Sequence, residues 1–241
     1  MADIAVVTGA SGGIGAAIAK AIHAKSEGQL TLCLHFNGNE AAAKALSNEI
    51  PNSFVVKANL STAEGRQALL DAVLAKGTPF CLVNNAGIDK PHEPALMITE
   101  AGFEKLISMN LAAPLFLMRD FAKEMARNES GVIVNISSIL ARQAVIGSAV
   151  YRATKCALEA LTLQFASELG PKGIRVVAVA PGFIETAMTA EIPEEQRAGI
   201  KKGVALGSFG SPDAIAETVW HAIENQYLTG AVIAVDGGMA L

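Results

Sequence analysis

Tyr151 and Lys155 lie four residues apart in a stretch of helical period, so a helix would set both on one face. That pairing brings a phenol within reach of an ammonium. A phenol with its ordinary pKa near 10 is a poor proton carrier at neutral pH. Lowering it by about 3 units requires roughly 4 kcal/mol of preferential phenolate stabilisation, and a cation one helical turn away is a source of it. Tyr151 is then the candidate proton donor. Ser138, thirteen residues earlier, supplies a hydroxyl that would hold a substrate oxygen in line with it. A solvated helix face presents Tyr and Lys at the same spacing, so the pair means little without its setting.

A second constellation stands near the start of the chain. Thr8-Gly9-Ala10-Ser11-Gly12-Gly13-Ile14-Gly15 follows the apolar run Ile4-Ala5-Val6-Val7, a pattern for a buried strand that turns tightly into a helix. Gly9, Gly13 and Gly15 permit conformations and close approaches that a Cβ would block. A helix starting near Gly13 offers unpaired N–H groups and the positive end of its dipole, which suit a phosphate. Together these features predict a dinucleotide site over Gly9, Ser11, Gly12, Gly13, Ile14 and Gly15. A turn built for packing alone also uses glycine, and the spacing here is T-G-x-x-x-G-x-G, not G-x-G-x-x-G.

Both constellations need a frame that brings distant segments together. Strands are expected at 4–8, 30–36, 53–57, 80–84, 131–137, 174–180 and 231–235, and helices near 13–26, 39–49, 62–76, 99–127, 150–169 and 212–225. Strict alternation of the two gives a parallel sheet with right-handed crossovers. The expected fold is therefore α/β: a single Rossmann-type, doubly wound parallel sheet of about seven strands with helices on both faces, one domain over 1–241. In that frame Asn84-Asn85-Ala86-Gly87, Ser137-Ser138, Tyr151 to Lys155 and Pro181-Gly182 all fall at or just beyond a strand's carboxyl end. Residues 183–211, punctuated by Pro193, Gly199, Gly203, Gly207 and Gly210, form a long connection that reads as a substrate loop or lid.

Composition narrows the class. Of 241 residues, 51% are hydrophobic and 17% charged, which suits an interior sheet and a subunit that hides surface in an oligomer. The net charge of −4, without a basic block, argues against nucleic acid as the partner. No apolar run approaches the ~20 residues of a membrane span, and a strand at 4–8 leaves no room for a signal peptide. Cys33, Cys81 and Cys156 have neither metal nor redox spacing and read as reduced core or near-core thiols of a cytoplasmic protein. His23, His35, His92 and His221 are dispersed, and no metal site is expected.

The glycine turn, Asn110, Ser138 and Tyr151-x-x-x-Lys155, in that order, resemble the short-chain dehydrogenase/reductase family over the whole length. Pro181-Gly182-Phe183-Ile184-Glu185-Thr186, Gln196 to Ile200, Leu228-Thr229-Gly230 and Val235 to Met239 are similar to the β-ketoacyl-(acyl-carrier-protein) reductases of bacterial fatty-acid synthesis. The resemblance implies a ketone reduced by hydride from a nicotinamide, with Tyr151 as proton donor, Ser138 on the carbonyl and Lys155 on the nicotinamide-ribose hydroxyls. Asn110 would hold a helix kink and a water that relays protons toward the lysine. Implied cofactor contacts take in Asn37, Asn59, Leu60, Asn84, Ala86, Gly87, Tyr151, Lys155, Pro181, Gly182, Ile184 and Thr186. An acidic residue at the end of the second strand would bind the adenosine ribose. This chain has His35-Phe36-Asn37-Gly38 there, so Asn37, assisted by His35, points to NADPH over NADH.

An acyl carrier protein is the implied partner, for which Lys123, Arg127, Arg152 and Lys172 near the site's rim could supply a basic docking surface, an ordinary solvated set being the alternative, and the implied assembly is a homotetramer. Glu129, Ser208 and Val177 depart from the reductase pattern and leave a polyketide-like pathway open beside fatty-acid synthesis. The alternatives are a dehydrogenase of a free small alcohol, sugar or polyol, and a nucleotide-sensing scaffold.

Overall fold

The apolar runs form seven strands: β1 (Ala2–Val7), β2 (Thr31–Phe36), β3 (Ser53–Lys57), β4 (Gly77–Asn84), β5 (Gly131–Ile136), β6 (Ile174–Pro181) and β7 (Val232–Val235). All pair in parallel, in the order β3-β2-β1-β4-β5-β6-β7. The structure is a computed structural model and describes residues 2–240, the side chain of Met188 excepted.

The helices are α1 (Gly13–Lys25), α2 (Glu40–Glu49), α3 (Ala63–Leu74), α4 (Glu100–Ile107), α5 (Ala113–Ala126), α6 (Ala149–Leu169), α7 (Ala187–Ala190), α8 (Glu194–Lys202) and α9 (Pro212–Glu224). Five of them begin on a side chain that accepts from their first turn: Asn39 for α2, Thr62 for α3, Thr99 for α4, Thr186 for α7 and Ser211 for α9.

Strand side chains alternate between two cores. Val7, Leu34, Val83, Val134 and Val179 pack with Ile18 and Ile22 of α1, Leu46 of α2 and Ile215 and Val219 of α9. On the opposite face Val6, Cys33, Leu82, Ile133 and Val176 meet Leu69 of α3, Leu117 and Phe121 of α5 and Leu158 of α6. Covering on both faces explains why β5 is buried from end to end. From β1 the chain steps outward to β2 and β3, then returns to place β4 on the other side of β1. The crevice at the carboxyl ends of β1 and β4 is the place where such a sheet receives a ligand.

The helix expected over 99–127 is broken. Between α4 and α5 lies a five-residue π turn, Ser108–Ala112, centred on buried Asn110. Pro114, in the first turn of α5, has no N–H to return to the carbonyl of residue 110, and its ring crowds that carbonyl. Asn110 fills the gap from the side. Its amide donates to the Ile88 carbonyl at 2.7 Å and its oxygen accepts from the Ile88 N–H at 2.9 Å.

Cys33 and Cys81 are buried, and burial pushes both thiols up, whereas Cys156 is exposed on α6 and not in the core. Among the described residues no helix is long and apolar enough to cross a membrane.

Candidate active site

The glycine turn is held from three sides. The Thr8 hydroxyl donates to the Val83 carbonyl at 3.1 Å and accepts from the N–H groups of Asn85 and Ala86 at 2.9 and 3.0 Å. The Asn85 amide returns to the Thr8 carbonyl at 2.8 Å. Gly9, at φ 67°, donates to Nδ1 of His35 at 3.1 Å, and Nε2 of that ring donates to the Ala58 carbonyl at 3.0 Å. Burial lowers the His35 pKa and favours the neutral ring that this arrangement needs.

Unlike the capped helices, α1 starts on Gly12 with no side-chain cap and no acidic residue in its first turn. Its first N–H groups therefore face the cavity unclaimed. A Cβ on Gly12 would meet nothing within 4 Å, so the turn leaves an open cradle beside those donors. Those features suit a dinucleotide pyrophosphate. A Cβ on Gly15, by contrast, would lie 2.3 Å from the Gly9 carbonyl oxygen and 2.6 Å from Nδ2 of Asn85. Gly15→Ala is expected to cost about 2–3 kcal/mol by forcing the turn apart, with dinucleotide affinity falling in parallel. Chemical unfolding and a cofactor titration check it.

Tyr151 and Lys155 open α6 on the other side of the crevice. The Lys155 ammonium is buried, donates to the Ile136 carbonyl at 2.8 Å and sits 5.6 Å from the centre of the Tyr151 ring. Burial brings its pKa down to about 8. The Tyr151 phenol is pushed up to about 12, mainly by burial, while a hydrogen bond with Ser138 pulls down and the charge of Asp89 pushes up. The expected lowering draws on the Lys155 ammonium together with an oxidised nicotinamide; against it stands the burial of the phenol, and the Lys155 ammonium is engaged by the Ile136 carbonyl. Ser138 accepts from the Leu140 N–H at 3.2 Å, which orients its oxygen at the end of β5. A Cβ on Gly87 would lie 3.2 Å from Oδ1 of Asn110 and 3.9 Å from Nζ of Lys155, so that glycine lets both side chains close on the loop after β4.

One cavity of about 580 Å³ joins the two halves. It is lined by Gly9, Ser11, Gly12, Gly13, Ile14, Gly15, Asn37, Ala86, Gly87, Ser138, Tyr151, Lys155, Pro181, Gly182, Ile184 and Thr186, all singled out by the sequence. Four expected residues stand elsewhere. Asn59 is exposed and its side-chain oxygen accepts from the N–H and hydroxyl of Ser61, and Leu60 is buried in the core below α3. Asn84 points to the α5–α6 face, two residues on from Leu82, and donates to Asn135 at 2.9 Å. Asn110 lies behind the wall and acts on it through Ile88. His35 lines the cavity, but both ring nitrogens are taken by backbone, so it has no donor left for a phosphate. Asn85, Ile88, Asp89, Met109, Ile136, Ala187 and Thr189 also line the cavity, although the sequence does not single them out as contacts. Strand alternation is the signal within Asn84-Asn85-Ala86-Gly87 that separates Asn85 from Asn84.

The excursion over 183–211 begins and ends at one point: Glu185 donates to the Gly210 carbonyl at 2.8 Å and Gly210 to the Phe183 carbonyl at 2.9 Å. Arg197 of α8 organises it, with both Glu185 oxygens at 2.8 Å, the Thr189 carbonyl at 2.8 Å and the Phe209 ring at 4.7 Å. Of the four expected rim cations, only Arg152 is near the cavity, on the first turn of α6. Because α5 runs back against the strands, Arg127 and Lys172 lie by the amino ends of β5 and β6, at the opposite rim, with Lys123 one turn before Arg127. Lys123 and Arg127 are paired within their own helix, to Asp120 and Glu124.

A family model described as enoyl-(acyl carrier protein) reductase matches residues 9–240. The chain belongs to the short-chain dehydrogenase/reductase family. As a member it is an NAD(P)-dependent oxidoreductase acting on CH–OH groups. It is 36% identical to the 3-oxoacyl-[acyl-carrier-protein] reductase FabG of Rickettsia bellii, over 98% of this chain and 96% of that one. The corresponding protein of Staphylococcus aureus is 34% identical, over 99% and 98%.

Among solved structures of this dehydrogenase/reductase fold, an Agrobacterium tumefaciens protein described as a gluconate dehydrogenase superposes with a TM-score of 0.92 at 26% identity, over 99% and 96% of the two chains. The reductase LugOII, described as catalysing keto-reduction at C1 in lugdunomycin biosynthesis, gives 0.89 at 30% identity, over 99% and 98%.

Proposed function

We propose that this chain reduces β-ketoacyl thioesters, carried by an acyl carrier protein, to β-hydroxyacyl thioesters with NADPH. The observation that supports this most is the pairing of two hydroxyls, Ser138 and Tyr151, at one end of the cavity with the buried ammonium of Lys155 behind them. Two hydroxyls converging on one point suit a carbonyl oxygen, which gains negative charge as the carbon is reduced. Reduction of a carbon–carbon double bond needs its proton at carbon, where a hydroxyl pair has less to offer. The names of the FabG relatives support the same substrate class.

In this reading Ser138 holds the ketone oxygen and Tyr151 delivers its phenolic proton to it. Bound NADPH supplies the hydride. Lys155 takes the ribose hydroxyls and stabilises the phenolate that forms. The glycine cradle and the first N–H groups of α1 hold the pyrophosphate. Asn110 keeps the loop after β4 in place through Ile88 and serves the proton path as a positioning residue. The NADPH preference is supported by the absence of any carboxylate from the described cavity lining at the end of β2, where Asn37 and Gly38 stand. A cytoplasmic homotetramer completes the proposal.

The test follows reduced-nicotinamide absorbance with acetoacetyl thioesters of coenzyme A and of a carrier protein. We expect kcat/KM to be at least about tenfold higher with NADPH than with NADH, and higher for the carrier-linked substrate. A protein inert on both thioesters that oxidises sugars or sugar acids would overturn the reading and favour the substrate type named for the Agrobacterium neighbour.

A further inference from the structure

The loop after β4 carries a carboxylate into the cavity wall. Asp89 lines the same cavity as Ser138 and Tyr151, and its charge is felt at the Tyr151 phenol. Its position is built into the fold. On one side Asn110 grips both backbone groups of Ile88. On the other, the Glu93 N–H donates to the Gly147 carbonyl at 3.0 Å, and the Glu93 carboxylate accepts from the Thr99 N–H and hydroxyl at 3.2 and 2.8 Å. Between these clamps the Asp89 carboxylate has His92 Nε2 at 3.4 Å. The neighbouring Lys90 ammonium is turned to Glu191 at 2.9 Å. From α6, Tyr151 and Lys155 share the cavity, and the Lys155 ammonium is bonded to Ile136.

We infer that Asp89 is a specificity-determining residue, a negative wall beside the Ser138–Tyr151 pair that disfavours ketones bearing an anionic group near the carbonyl. It thereby favours β-keto esters and thioesters over free β-keto acids. The inference rests on the thioester reading and gives it a physical reason. A free β-keto acid carries its charge two bonds from the ketone, and thioester formation removes that charge. Like charges facing one cavity repel weakly at the dielectric of water and much more strongly in a partly desolvated wall, where an effect on binding of about tenfold is the order expected. Lys155 acts in the opposite sense but is common to every variant at this position, so a ratio of substrates isolates Asp89.

The experiment compares kcat/KM for acetoacetate and its ethyl ester in wild type, Asp89→Asn and Asp89→Glu, at pH 8, where an ordinary imidazole is neutral. The acid-to-ester ratio is expected to rise about tenfold in Asp89→Asn and to stay within twofold of wild type in Asp89→Glu. A rise under threefold in Asp89→Asn, an equal rise in Asp89→Glu, or loss of ester turnover in Asp89→Asn overturns the inference. Acetoacetyl coenzyme A is run in parallel. If it is refused while the ethyl ester is reduced, the thioester reading falls and the charge filter is judged on its own ratio. If it is reduced while the ratio stays flat, the filter falls alone. If none of the three is reduced, both fall.

Discussion

Tyr151→Phe is expected to lower kcat about a thousandfold with dinucleotide affinity within about threefold of wild type, as loss of a general acid without loss of the ring requires. The two readouts separate chemistry from binding. Stopped turnover with a normal fluorescence titration of the reduced cofactor supports the role, and a kcat within tenfold of wild type sinks it. Phe keeps the packing beside Lys155, so the fold should survive.

The direction of the Tyr151 shift sharpens the experiment. With its pKa pushed up to about 12 by burial, the phenol is protonated across the working range, ready to donate. Ketone reduction should therefore start from the correct form at any pH from 6 to 9. Alcohol oxidation, which needs the phenolate as base, should rise with pH across that range.

Lys155→Met should abolish turnover and yet make the unliganded protein more stable near neutrality. Burial holds the Lys155 pKa at about 8, against an ordinary value of 10.5. Below about pH 8 the lysine is charged in both folded and unfolded states, and the folded state bears the full desolvation cost, about 3 kcal/mol. Between pH 8 and 10.5 the unfolded chain binds more protons than the folded one, so wild-type stability rises with pH at this site. Above 10.5 the cost is gone. Methionine keeps the length and loses the charge, but leaves the Ile136 carbonyl without its donor, which returns about 1–2 kcal/mol. The net expectation is a gain of about 1–2 kcal/mol at pH 7 that disappears or reverses by pH 10.5, read from denaturant midpoints. A variant less stable than wild type at pH 7 would refute it.

Much of this site could be read from residue types alone, because the elements that carry it start and stop on strong local signals. Glycine spacing placed the turn after β1, helical spacing placed Tyr151 with Lys155, and alternation of strands and helices placed both on one rim. What escaped depended on orientation. Asn84 and Asn85 are neighbours of one type, and only strand alternation, with Thr8 waiting on one side and Asn135 on the other, sends them to different tasks. Asn59 and Leu60 follow β3 as expected, yet their side chains serve a turn and a core. The π turn at Asn110 is the helix kink that the family resemblance implied there; within the apolar helical pattern itself its one sign is Pro114. Charges at 123, 127 and 172 stand at the rim opposite the one expected, because sequence distance from the motifs says nothing of which way α5 runs.

The excursion over 183–211 leaves the framework at Ile184 and returns beside it at Gly210. Its two ends are thus fixed to each other before its interior is specified, and the register of β6 and β7 does not depend on its length. The cost of closing such a loop grows only slowly with added residues. It is an exchangeable cassette: insertions or a transplanted counterpart can reshape the roof of the cavity while Ser138, Tyr151 and Lys155 stay where the sheet and α6 hold them.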